Sequence, residues 1–171
     1  DKRDWSYHDY RDSNINTYED AVKTLADKGY WIFRMGKLVE KPLKINHPRV
    51  LDYANSKYQC EFLDIWLLAN NYFTISTGTG SDSIADIFRK PVVYVNYDVL
   101  TNLVTWSNTL TLPKKLFWEK EKCYLNLREQ LKHSYVNKNQ YNENGIKVID
   151  LHSNEITDAV LEFEARLTGK W

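Results

Sequence analysis

Tyr18, Ala21, Val22 and Leu25 recur at the spacing of one helical face, so the sequence predicts a helix over 17–28. Asn16 followed by Glu19 makes a capping-box-like start, and Gly29 a stop. The next block, Tyr30-Trp31-Ile32-Phe33-Arg34-Met35, is nearly unbroken in bulky residues, which is how a strand covered on both faces reads. Residues 37–48 hold Pro42 and Pro48 and read as loop, and a short strand follows over 49–53. Phe62, Ile65, Trp66 and Ala69 share one face of a helix over 59–70. Strands are expected at 72–76 and 92–96, around a short helix over 82–89 that Pro91 ends. Residues 97–125 carry mixed charge and read as a solvated connection. Asn126 and Glu129 repeat the capping-box pattern for a short helix, and 134–145 reads as Asn-rich loop. A last strand over 147–151 precedes a helix over 154–168, capped by Ser153 or Asn154, with Ile156, Ala159, Val160, Phe163 and Leu167 inward.

Strands and helices alternate throughout. That pattern predicts an α/β fold, a Rossmann-like parallel sheet with helices on both faces, as a single domain over residues 1–171.

Charge narrows the partners. Lys plus Arg is 23 and Asp plus Glu is 23, so the chain has no basic excess with which to coat nucleic acid. No apolar run approaches the ~18 residues of a membrane span. Aromatic residues make up 14% of the chain, which fits a dense core or a site that stacks on rings. Cys60 and Cys123 lack CxxC spacing and a neighbouring His, and Cys60 is expected as a buried thiol. His8, His47, His133 and His152 are scattered, so no metal site is signalled.

The sharpest chemical feature is Thr77-Gly78-Thr79-Gly80-Ser81-Asp82-Ser83, set between a strand and a helix and followed by Lys90-Pro91 and another strand. Ligands of open parallel sheets bind beyond the carboxyl ends of the strands. Gly78 and Gly80 let the backbone approach a ligand, and a helix start at Ser81, Asp82 or Ser83 leaves free N–H groups suited to phosphate. The Lys-Ser/Thr ending of a Walker loop is missing, and Ser83 stands where a dinucleotide fingerprint needs a third glycine or an alanine. Arg34, followed by Met35 and Gly36, is expected at the same sheet edge and facing the same ligand. Arg11, Gly36, Asp52 and His8 are further candidates for a cleft there, with His8 or Asp9 as a base. Asp82 is expected to turn its carboxylate away from the ligand, toward ribose or a neighbouring cation.

The blocks YHDYRDSNINTY, DKGYWIFRMGKLVEKPL and FLDIWLLANNYFTISTGTGSDSIADIFRKPVVYVNY resemble a family of bacterial glycosyltransferases of surface-glycan gene clusters. The resemblance implies the C-terminal domain of a GT-B enzyme. Its donor is a nucleotide-sugar, its acceptor a glycan or glycolipid, and it uses no further cofactor and no catalytic metal. It implies a donor diphosphate at Gly78 to Ser83, a catalytic base outside this chain, and an upstream acceptor domain. The opening Asp1-Lys2-Arg3-Asp4 agrees with a chain cut from a longer one. Such an enzyme is expected in the cytoplasm, peripheral to the inner membrane through other regions or partners. Two alternatives stand beside this reading. One is a sugar-nucleotide epimerase, disfavoured because Ser83 and Ile84 occupy positions where acids are expected. The other is a non-catalytic nucleotide-sugar-binding or scaffold domain.

Overall fold

The computed structural model describes residues 10–37, 39–98, 100–103 and 106–171. It is a mixed α/β fold with parallel sheets flanked by helices, consistent with a Rossmann-like topology. The first helix, α1 (Glu19–Asp27), follows one turn of 3-10 helix over Ile15–Tyr18, which Asn14 rather than Asn16 caps. Strands β1 (Ile32–Phe33) and β2 (Val50–Leu51) pair in parallel. Helix α2 (Glu61–Asn70) leads to β3 (Thr74–Ser76), then α3 (Asp82–Ile87), β4 (Val92–Tyr97) and β5 (Thr109–Pro113). The order β3-β4-β5 is parallel throughout.

The core forms because β4 is buried on both faces, as a central parallel strand should be. Val93 and Val95 meet Ala21, Val22 and Leu25 of α1, together with Ile156, Val160 and Phe163 of the C-terminal helix α6 (Ser153–Leu167). On the opposite face Val92, Tyr94 and Tyr97 meet Ala85 of α3. Tyr94 and Tyr97 share a face, although three residues apart, because the ladder shifts register at Asn96. Asn96 takes a left-handed φ of 54°, the signature of an extra residue in one strand.

Several expectations need correction. Residues 97–125 are not a solvated connection: they hold β5, β6 (Lys115–Trp118) and β7 (Cys123–Tyr124). The Asn-rich segment 134–145 contains α5 (Lys138–Glu143), held by buried Tyr141, while α4 (Leu127–Lys132) has the expected Asn126–Glu129 box. The last strand, β8 (Ile146–Ile149), does not join the parallel strands. It pairs antiparallel with β6 in a separate sheet, β7-β6-β8. Parallel pairing therefore falls into a two-stranded and a three-stranded sheet rather than one of five. Cys60 is exposed at the start of α2, not buried. Among the described residues, no helix is long and apolar enough to cross a membrane.

One polar group fastens α6 to the start of the fold. Glu164 is buried, and its carboxylate accepts from Lys28 Nζ at 2.7 Å and Tyr30 Oη at 3.0 Å. Lys28 holds the Glu164 carboxyl below its usual range, and burial beside it pushes the Tyr30 phenol up to about 12. A depressed carboxyl stabilises the fold above its unfolded pKa, and that stabilisation is lost as pH falls through the folded value. Glu164→Gln should therefore cost roughly 1–3 kcal/mol at pH 7 and little near pH 3, as urea unfolding of both forms would read.

Candidate functional site

The carboxyl ends of β3, β4 and β5 lie along one edge, because the three strands are parallel. Segment 10–14 crosses that edge and is tied to all three ends. Arg11 Nη2 donates to the Gly78 carbonyl beyond β3 at 2.9 Å. Asn96 Nδ2, near the end of β4, donates to Ser13 Oγ at 2.7 Å. Lys114 Nζ, just past β5, donates to the Asp12 carbonyl at 2.5 Å and pairs with Asp150 at 2.8 Å. The sheet edge on which an α/β fold places its ligand is thus partly roofed by the chain's own early residues.

Beneath the roof lies the glycine loop. Gly78 has φ +88°, and a Cβ there would sit 2.8 Å from the Tyr97 ring. Gly80 differs: a Cβ on it meets nothing within 4 Å, so the arc from Thr79 to Ser81 faces open space. Thr79 and Ser81 hydroxyls bond each other at 2.8 Å, and Ser83 is exposed. Asp82 opens α3 but does not turn outward. Its Oδ1 accepts from Ser76 Oγ at 2.5 Å and Thr79 Oγ1 at 3.3 Å, under the arc. Burial raises the Asp82 pKa, opposed by these hydrogen bonds and by the nearby Arg11 charge.

Arg34 and Asp52 lie just past β1 and β2, and they face each other. Arg34 Nη1 meets Asp52 Oδ1 at 3.3 Å, and Nη2 donates to the Lys41 carbonyl at 3.1 Å. Asp52 Oδ2 also accepts from the Leu43 amide and from Asn55 Nδ2. The Gly36 carbonyl accepts from Gln59 Nε2 at 2.7 Å. These contacts close the loop between β1 and β2. The cation at the carbonyl of the glycine loop is Arg11. His8 and Asp9 lie outside the described residues.

Compared with family models, curated proteins and solved structures, the chain matches none.

Three residues at this edge escaped the sequence reading: Asn96, Asp98 and Lys114. Each sits at or just past the end of a strand, a position that only the ladder register defines. Asp98 is buried and accepts from Tyr141 Oη at 3.2 Å. Burial pushes it up to about 6, against the opposing pull of that bond and of Lys114 and Arg11. The Tyr141 phenol is itself raised by burial and by the Asp98 charge. Beside them a groove of about 470 Å³ is lined by Tyr10, Asp12, Lys114, Tyr141 and Asp150, among others. Among the described residues, no group of three or more His, Cys, Asp or Glu side chains could hold a metal ion.

Proposed function

We propose that the Thr79–Ser81 arc and Arg11 bind the diphosphate of a nucleotide-sugar, and that the chain is the donor-binding part of a glycosyltransferase building a surface glycan. The observation that carries this reading is the open arc at Gly80, beyond the carboxyl end of a parallel strand and beside a cation. Backbone N–H groups there would meet phosphate oxygens without a side chain intervening. The Arg11 guanidinium would offset charge on the leaving diphosphate as the sugar departs. The Asp82 carboxylate under the arc opposes an anion. Its burial already favours the neutral acid, and an arriving phosphate would favour it further.

The internal bonding of Ser76, Thr79, Ser81 and Asp82 favours a second reading, a structural turn in a non-catalytic domain. Calorimetry separates the two. The parent should bind UDP or GDP more tightly than the bare nucleosides. Gly80→Val should abolish that preference without lowering the unfolding temperature, since the site has room and no strained φ. Arg11→Ala should weaken diphosphate binding about 10- to 150-fold, the loss of one charge-assisted hydrogen bond. Diphosphate binding that is absent in the parent, or unchanged in both variants, leaves the turn. With donor and a glycan acceptor, transfer rather than epimerised sugar is expected from the full enzyme.

A further inference from the structure

The helical layer formed by α2 and α3 leaves its outer side apolar and bare. Phe62, Ile65 and Trp66 recur at one-face spacing on α2 and are 70%, 50% and 48% exposed, while Leu68 alone of that helix is buried. Ile87 and Phe88, at the end of α3, are 75% and 51% exposed. Trp106 is held against the same layer by its indole N–H, which donates to Asp86 at 2.7 Å, and its ring is 74% exposed. A helix this apolar normally buries such a stripe.

We infer that this face is the interface of a two-fold dimer of the chain. Area is the first argument. Together these six side chains expose roughly 800 Å², above the largest patch of an ordinary monomer and equal to one partner's share of a standard interface. Charge is the second. α2 ends shortly before β3 begins, and α3 ends shortly before β4 begins, so both helices run the same way, with carboxyl ends at the amino edge of the sheet. Exposed Glu61 opens α2 at one border of the layer, and exposed Arg89 follows α3 at the other. A two-fold axis lying in the interface, oblique to both helices, crosses one layer over the other. It sets the Phe62 end of α2 over the Ile87–Phe88 end of α3, and Glu61 beside Arg89 of the second copy. A closed pairing of this kind uses one patch twice. An anionic lipid surface would be a poorer match, because the borders carry both signs.

Sedimentation of the 171-residue chain across concentrations up to about 100 μM tests this. A dimer is expected. Phe62→Glu should give monomer with an unchanged circular dichroism spectrum, since the residue is exposed. Glu61→Arg and Arg89→Glu should each weaken association at least about tenfold, and the double swap should restore it. A monomer throughout, an open-ended polymer, a double swap that fails to restore dimer, or a monomer that binds phosphatidylserine vesicles would each overturn the inference.

Discussion

Asn96→Ala should lower stability by roughly 3–5 kcal/mol, a large share of a small domain's total. Asn96 is wholly buried and holds three elements together. Its Oδ1 accepts from the Leu151 amide at 2.6 Å, ahead of α6, and its Nδ2 reaches Ser13 and Tyr18. Alanine leaves the Leu151 N–H without this acceptor inside the fold and adds the cost of a left-handed φ that Asn tolerates better. Asn96→Gly separates the two causes: it should recover about 1 kcal/mol of backbone strain but none of the hydrogen bonds. Because Ser13 lies in the segment roofing the sheet edge, amide exchange over residues 10–14 should also quicken. Urea unfolding and hydrogen exchange read both effects, and a loss below about 1 kcal/mol would show that Asn96 is not the fastener described.

Asp98→Asn should do the opposite and stabilise the protein, with an effect that depends on pH. Burial raises the folded pKa to about 6, against about 4 in the unfolded chain. A carboxyl raised in this way favours folding while it is neutral, below the unfolded pKa. That contribution is lost as pH climbs from about 4 through about 6. Above pH 7 the buried charge therefore costs about 3 kcal/mol, which the amide variant avoids while keeping an acceptor for Tyr141. Denaturant melts at pH 4 and pH 7.5 should show near-equal stabilities at the first and a more stable variant at the second. A variant less stable at pH 7.5 would mean that Lys114 and Arg11 more than offset the cost of burying the Asp98 charge. The fold retains a destabilising carboxylate beyond the carboxyl ends of its parallel strands, and costs of this kind cluster at functional sites.

How much of this was legible depends on how far each element announces itself through its own buried face. α1 and α6 carry stripes at helical spacing, and the expected inward residues are buried except Leu167, which is half-buried at the end of α6, while buried Glu164 was not foreseen. β4 opens on the apolar run Val92 to Val95, and β3 and β4 flank the glycine loop in parallel as expected. β5, β6 and β7 were missed because they are short, half-exposed and interrupted by Pro113 and Lys114. α5 shows no stripe, since Tyr141 alone is buried there. β8 did carry a signal of its true pairing. Buried Ile146 beside exposed Lys147 is the alternation of a strand with one wet face, which belongs to antiparallel sheets. The Phe62–Trp66 stripe was visible, but spacing alone does not tell an inward face from an outward one. At the site, the glycine loop was readable from composition. Which arginine reaches it depended on how segment 10–14 crosses the sheet, and no local pattern encodes that.

The most direct test of the central claim is a ¹H–¹⁵N titration of the parent chain with UDP and with GDP. If the open arc is the diphosphate site, the backbone amides of Thr79, Gly80 and Ser81 and the Arg11 side-chain signal move with one of these ligands. They should stay in place with the corresponding nucleoside. Amides of the loop that remain still while others shift, or a spectrum unchanged at millimolar diphosphate, would contradict the account.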